Sequence, residues 1–292
     1  MMMRRREFVV GCLSTAVAGE AFGHSCDVPS DVGAYYAAYL ETVAARVRAN
    51  AQTCDTGFWF LTDPHVKANH RKSGRLCADL IARTGLRRVL CGGDLPVAFA
   101  DGHTTDKAAV DFASAHGRIL LDITGHHHAE RQTFQNGILH VTEPCDAYYG
   151  NYINGSAPWC GDLPRKKGGT VYEQTFDAVQ IERSRKYVRF TRVGGGQDRV
   201  IHLSPRIVRV GETVRFEPSF FAGPTTFGCY DGDCVSFPPN PQNRWSPLVA
   251  YKTTFAEISP TGVLTAHRPG PVMALAMDAH LNKEIFPVQV IA

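Results

Sequence analysis

Between residues 58 and 125 the chain alternates short apolar runs with segments of helical periodicity. The apolar runs are FWFLT (58 to 62), RRVLCGGD (87 to 94) and RILLDITG (118 to 125), and the helical segments end at Gly85 and Gly117. Strand, helix, strand, helix, strand is the order of parallel units whose crossover helices cover a sheet. The sequence therefore predicts an α/β body built on a parallel sheet.

A further helix is predicted ahead of these units, because Ser30 follows Pro29 as a capping residue before a segment of helical periodicity. The apolar stripe of this helix consists of Val32, Tyr36, Leu40, Val43 and Val47. A stripe at this spacing predicts that one face of the helix packs on the main body.

After about residue 134 the periodicity changes to that of strands. GILHVTEP, EQTFDAVQIE and KYVRFTRV alternate apolar and polar residues, and SRK (184 to 186) is placed to close a hairpin, which predicts antiparallel strands. From residue 203 onward, short strands broken by Gly and Pro predict a small β-sandwich. The glycines at 194 to 196 are interpreted as a turn or an interdomain hinge, and Pro287 predicts that the last strand lies at a sheet edge.

Residues 1 to 23 have the order of an export signal. Arg4, Arg5 and Arg6 form a basic region, residues 8 to 19 form an apolar run, and residues 21 to 23 are suited to cleavage. The run is shorter than the roughly 20 residues of a membrane span, so no transmembrane segment is expected in the mature chain. RRREFVV resembles a twin-arginine signal, which implies a bacterial protein that is periplasmic or secreted.

Composition sets broad limits on the class of protein. A hydrophobic content of 44% with 20% charged residues is typical of globular proteins. The formal net charge of +3, without a basic block beyond the first six residues, gives no indication of a nucleic-acid partner. The oligomeric state is not indicated. We expect a signal peptide over 1 to 23, a main domain over 24 to 202 and an all-β domain over 203 to 292.

If cleavage falls near Gly23, eight of the nine cysteines remain in the exported chain, in a compartment that permits disulfides. Cys229 and Cys234 flank the tight turn of YDGD and form the preferred candidate pair. Cys77 and Cys91 lie in apolar runs, which favours buried thiols.

Each of the three predicted strands is followed by Asp or His residues. TDPH carries Asp63 and His65, CGGD carries Asp94, and TGHHH carries His126 and His128. Loops that follow successive parallel strands leave a sheet at one edge, where ligands collect. Carboxylate and imidazole donors without thiolates suit Mn²⁺, Fe or Zn²⁺. The pattern predicts a centre of one or two divalent ions that activates a water for phosphoryl displacement, with Asp94 as the natural bridge.

DPH, GGD and GHHH in this order resemble the motifs of the calcineurin-like metallophosphoesterases, over about residues 55 to 200. The resemblance implies a β-sandwich flanked by helices that holds two metal ions. The ligand set that it implies is Asp63, His65 and His128 for one metal, His126 for the other, and Asp94 for both. Asp94 and His126 would be the catalytic residues, and His127 has no assigned metal role.

One segment of the family pattern is missing from this chain. Family members carry a G-N-H segment between the second and last motifs, which supplies an Asn ligand and a His facing the leaving group. Asp94 and Gly125 are only 31 positions apart, which accommodates one helix and one strand. Either His103, His70 or His127 replaces the missing ligands, or one metal binds, or activity is impaired.

The expected function is hydrolysis of a phosphate mono- or diester, on a small molecule or a headgroup, by metal-activated water. The alternative is a non-catalytic cell-envelope binding protein that retains the fold. The segment AEISPTGVLTAHRPG resembles bacterial immunoglobulin-like repeats, which implies a β-sandwich but no activity. Histidines outside the motifs, including His140 and His202, are expected to be structural.

Overall fold

The computed structural model describes residues 34 to 62, 70 to 92, 121 to 124, 131 to 135, 137 to 143, 174 to 223, 225 to 231, 253 to 280 and 282 to 292. In these ranges the chain is a mixed α/β protein, mostly strands, with two helices, one large mixed sheet and two small sheets. None of the helices in these ranges has the length and apolar character required to cross a membrane.

The described ranges contain two helices and fifteen strands. In chain order they are α1 (Ala34–Ala51), β1 (Thr56–Thr62), α2 (His70–Thr84), β2 (Val89–Gly92), β3 (Leu121–Thr124), β4 (Arg131–Gln135), β5 (Ile138–Thr142), β6 (Thr175–Glu182), β7 (Tyr187–Gly194), β8 (Arg199–His202), β9 (Arg206–Arg209), β10 (Thr213–Arg215), β11 (Thr226–Tyr230), β12 (Ala256–Ile258), β13 (Val263–Ala266), β14 (Gly270–Met277) and β15 (Lys283–Ile291).

The large sheet has the strand order β11-β14-β15-β8-β7-β6-β1-β2, and β9 also pairs with β15. β1 and β2 are parallel, which confirms the first predicted unit. β6 and β7 form the predicted antiparallel hairpin, and Lys186 closes its turn with a positive φ of 55°. The sheet is therefore mixed: β1 with β2, and β15 with both β8 and β9, are parallel pairs, and the other neighbouring strands are antiparallel.

The two helices cover one face of this sheet. Of the predicted α1 stripe, all four residues from Tyr36 onward are buried, while Val32 lies outside the described residues. They pack with α2 against Trp59, Phe176 and Val193 of the sheet. α2 ends as predicted before Gly85, whose φ of +73° and N–H bond to the Ile81 carbonyl at 2.9 Å terminate the helix.

A three-stranded sheet of order β3-β5-β4 covers the opposite face of the large sheet. Leu121, Ile123 and Val141 pack there on Phe58 and Phe60. The prediction that β3 continues the sheet of β1 and β2 is therefore wrong, because β3 pairs in parallel with β5 instead. Its burial alternates, as an outer layer requires, whereas a central parallel strand is apolar on both faces.

In the described part of the C-terminal region all elements are strands, and the second small sheet packs there on the large sheet. The small sheet β10-β13-β12 packs on β11, β14 and β15 through residues that include Leu264, Val272 and Phe286. β15 also pairs with β8 at residues 283 to 285. The predicted boundary at residue 203 thus falls within one continuous sheet.

Pro287 occupies a special position in β15. The prediction of an edge strand is wrong, because β15 pairs with β14 on one side and with β8 and then β9 on the other. The pairing with β8 ends at Ile285 and that with β9 begins at Val288. A residue without an N–H is tolerated there because it lies in the gap between two ladders.

Candidate functional site

All five predicted metal-binding residues, Asp63, His65, Asp94, His126 and His128, lie outside the described residues. His103 and His127 lie outside them as well, and His70 begins α2 but its side chain is not among those described. The predicted signal peptide over 1 to 23 lies outside the described residues as well. The site is therefore built from the ends of the strands that lead to the motifs.

Two of these strands end side by side. β1 ends at Thr62, directly before Asp63, and β2 ends at Gly92, two residues before Asp94. Thr62 and Gly92 are register partners in the parallel pair. The first two motifs therefore leave the large sheet at neighbouring positions. β3 ends at Thr124, before the third motif, but in the other layer of the sandwich.

Four buried charged residues connect the large sheet to the sheet β3-β5-β4 at the end where β1 and β3 terminate. We call these residues the ion quartet. They are Glu143, Asp177, Arg192 and Arg199, whose side chains are at most 3% exposed. Asp177 lies on β6 in phase with Val179 and Ile181, on the face of the large sheet that packs against the sheet β3-β5-β4. Glu143 follows β5 and belongs to the other layer.

Asp177 and Arg192 form the first pair of the quartet. They are register partners on β6 and β7, and Arg192 donates from Nε at 2.9 Å and from Nη2 at 3.0 Å to the two carboxylate oxygens. The third nitrogen, Nη1, donates to the Gly195 carbonyl at 3.1 Å. A two-pronged pair of this kind fixes the guanidinium in direction as well as distance.

Arg199 forms the bridge between the layers. Its Nη2 donates to both oxygens of Glu143, at 2.7 and 2.8 Å, and to Asp177 Oδ2 at 2.8 Å. The guanidinium also lies over the ring of Phe190, with 4.5 Å to the ring centroid. Arg192 Nη2 adds a longer contact of 3.4 Å to Glu143.

The quartet is attached to the strand ends that lead to the motifs. The Glu143 N–H donates to the Thr124 carbonyl at 2.8 Å, at the last residue of β3. Asp177 is the register partner of Phe60, two positions before the end of β1. The quartet thus lies at the end of the sandwich where β1 and β3 terminate, and it joins them across the layers.

Burial and charge act differently on the two carboxyl groups. Burial raises the pKa of Glu143 well above its usual value, and the neighbouring Asp177 raises it further against the attraction of Arg199. Burial also acts to raise the pKa of Asp177, but the guanidiniums of Arg192 and Arg199 hold it below its usual value. Asp177 therefore carries the charge more firmly than Glu143.

The quartet carboxylates are engaged by guanidinium groups. Within the described ranges, His, Cys, Asp and Glu form no group of three or more that could hold a metal ion. The donors of the three motifs, two carboxylates and three imidazoles, are of the chemical type that Mn²⁺, Fe or Zn²⁺ accepts. By its chemistry the motif donor set fits the implied metal.

The face of the sheet β3-β5-β4 that is turned away from the large sheet carries a second set of polar side chains. His140 Nδ1 lies 3.1 Å from Asp122 Oδ2, and the hydroxyls of Thr124 and Thr142 are 3.3 Å apart. Both are cross-strand pairs of β3 and β5. On the large sheet, His202 lies 2.9 Å from Glu284 and stacks on Phe286. His140 and His202 have the structural surroundings that the sequence led us to expect.

The cysteine predictions have mixed outcomes. Cys77 is buried and carries a thiol outside any disulfide, as predicted. The preferred disulfide is wrong, because Cys229 is a free buried thiol that donates to the Ala256 carbonyl at 3.6 Å. Burial raises the pKa of Cys229 to about 11. Cys234 lies outside the described residues.

No protein-family model matches this chain, and no curated protein matches it. The resemblance to calcineurin-like metallophosphoesterases therefore depends on the three short motifs and their order.

Proposed function

We propose that this chain is an exported, metal-dependent phosphoester hydrolase whose site lies where β1, β2 and β3 end. The observation that carries the proposal is the ion quartet. It links Thr124, at the end of β3, to the end of β1 across two sheets, although these strands are not neighbours in one sheet. The three motif segments thus begin from one end of the sandwich.

The donors that follow these strand ends have distinct tasks in the proposed site. Asp63, His65, Asp94, His126 and His128 would hold one or two divalent ions. A cation held there would lower the pKa of a water molecule and neutralise phosphoryl oxygens. Asp94, which lies between the other two motifs in the sequence, would be a ligand shared by both ions. Glycines at 92 and 93 give the backbone beside it freedom to approach closely.

The proposed substrate class is a phosphate mono- or diester, as a small molecule or a headgroup. The missing G-N-H segment removes the residue that would protonate a leaving group, so the chain depends on ester groups that leave without proton transfer. An aryl phosphate is therefore the appropriate first probe.

The test combines metal content with turnover of the full chain purified after export. We expect bound Mn, Fe or Zn by elemental analysis, and Mn²⁺-dependent hydrolysis of p-nitrophenyl phosphate or its bis ester. Asp94→Ala is expected to abolish turnover. Asp122→Ala, which removes a carboxylate from the outer face of the small sheet, serves as the matched control and is expected to retain it.

Two outcomes would support other conclusions. Turnover that Asp94→Ala leaves unchanged would come from a contaminant or from another site, and would refute the proposal. Bound metal without turnover of either ester would favour a non-catalytic envelope protein that retains the fold.

A further inference from the structure

We propose that Glu143 is a positioning residue, which sets the separation between the strand ends that lead to the metal-binding motifs. The inference rests on the proposed function, because the metal donors follow those strand ends. The Glu143 carboxyl accepts hydrogen bonds from Arg199 and Arg192, and it is not one of the proposed metal ligands.

The contacts form a continuous path between the two layers. The Glu143 N–H holds the Thr124 carbonyl at 2.8 Å, one residue before the TGHHH motif continues at Gly125. The Glu143 carboxyl is held by Arg199, which also donates to Asp177 at 2.8 Å. Asp177 is paired in register with Phe60 of β1. A displacement of Glu143 therefore changes the distance between β3 and β1 at their ends.

The buried charged groups of the ion quartet restrict the relative position of the two sheets more than apolar side chains do. The apolar side chains between the sheets, such as Ile123 and Phe60, attract without direction and permit the layers to slide. The planar guanidinium of Arg199 donates hydrogen bonds only within a narrow range of angles and distances. A buried cluster of this kind gains little stability over apolar packing, and its best-attested role is to fix register. Register between the layers is the property that a metal site shared by both would require.

The length of the side chain is the variable that tests this role. Glu143→Gln keeps the reach and one acceptor oxygen for Arg199. Glu143→Asp keeps the charge but is one methylene shorter, and Glu143→Ala removes the contact. A role in positioning ranks these variants by reach, whereas a role of the charge alone ranks Asp above Gln.

Glu284 provides a matched control. It is a buried carboxylate, 1% exposed, held by His202 and by the N–H groups of Ser219 and Phe220. It precedes Ile285, which packs between the sheets, so its side chain lies on the other face of the large sheet. The same three substitutions at Glu284 disturb a buried carboxylate without touching the quartet.

The measurement is the Mn²⁺ dissociation constant of each full-length variant by calorimetry, with circular dichroism to establish that it is folded. We expect Glu143→Gln to stay within about twofold of the natural protein, Glu143→Asp to bind several-fold more weakly, and Glu143→Ala about tenfold more weakly. The Glu284 variants should bind as the natural protein does. If Glu143→Ala does not fold, the Mn²⁺ affinities of Glu143→Asp and Glu143→Gln test the positioning role.

Amide hydrogen exchange of the metal-free proteins gives a second readout. Peptides that cover residues 121 to 124 should exchange faster in Glu143→Asp than in Glu143→Gln, and equally in the Glu284 series. If the natural protein binds Mn²⁺ and Glu143→Asp binds it as tightly as Glu143→Gln does, the positioning role is overturned. The proposed function is not affected by that result. Natural protein that binds no Mn²⁺, Fe or Zn would overturn the proposed function, and the positioning role with it.

Discussion

Arg199 donates from one nitrogen to both oxygens of Glu143, at 2.7 and 2.8 Å, and so joins the sheet β3-β5-β4 to the large sheet. Both side chains are buried, at 0% and 2% exposure. Because burial of this pair is costly unless its partners stay in place, the quartet makes the stability of the fold depend on pH and on each member.

Glu143→Gln should change how stability depends on pH. The pKa of Glu143 is raised above its usual 4.5 in the folded protein, so between these two values the unfolded chain loses the proton first. The natural protein should therefore lose stability relative to Glu143→Gln as pH rises from 4.5 through the folded pKa. Urea denaturation of both proteins across this window measures the difference. A constant difference at all pH values would contradict the prediction.

Asp177→Asn should be strongly destabilising near neutral pH. It removes the counter-charge that Arg192 and Arg199 share, and breaking a buried pair costs about 3 to 5 kcal/mol. Because the pKa of Asp177 is held below its usual 3.8, the contribution is present above that pH and is lost as pH falls through the folded pKa. Chemical denaturation at neutral and acid pH measures it. Asp122→Asn, at a partly exposed pair, should cost no more than about 1 kcal/mol.

Gly194 and Gly211 provide a matched pair for backbone strain. Both have a φ of +87°, but a Cβ on Gly194 would lie 1.7 Å from the Gln174 carbonyl oxygen, while nothing lies within 4 Å of one on Gly211. Gly211→Ala should cost about 1 to 2 kcal/mol from its φ alone. Gly194→Ala should cost clearly more, because the backbone at Gln174, directly before β6, must also move. Equal costs in chemical denaturation would contradict the close approach.

The same contacts bear on the predicted hinge. The Gly195 N–H donates to the Gln174 carbonyl at 2.9 Å, and Thr175 Oγ1 and Arg192 Nη1 donate to the Gly195 carbonyl. Residues 194 to 196 therefore form a packed turn, which was one of the two interpretations of their sequence.

The thiol of Cys229 should be slow to react in the folded protein. It is 3% exposed and its pKa is raised to about 11, so little thiolate is present at neutral pH. Alkylation after unfolding without a reductant should modify Cys229, as mass spectrometry of its peptide would show. A peptide linked to Cys234 would instead restore the disulfide predicted from the sequence.

Periodicity predicted the elements well, because burial of one face leaves a direct trace in the sequence. The α1 stripe, the end of α2 before Gly85 and the turn at Lys186 follow from apolar spacing and turn chemistry. Periodicity did not show which sheet β3 joins, because a strand with one buried face suits either layer. Pairing of β3 with β5 depends on contacts between distant segments.

The site was predicted less completely than the fold. The motif residues remain a prediction, and the ion quartet was not foreseen. Its signal was nevertheless present, since Asp177 stands in phase with Val179 and Ile181 on an otherwise apolar strand face. A charged residue in that phase must be paired when it is buried. Its partners come from three other segments, which a single sequence does not identify.

Equilibrium binding of Mn²⁺ to the natural protein, Asp94→Asn and Asp122→Asn tests the central claim most directly. Asp94 belongs to the proposed centre, whereas Asp122 pairs with His140 on the outer face of the small sheet. We predict saturable binding by the natural protein and Asp122→Asn, and a dissociation constant at least about 100-fold weaker for Asp94→Asn. Equal binding by all three proteins, or binding by none, would contradict a metal centre at the ends of β1, β2 and β3.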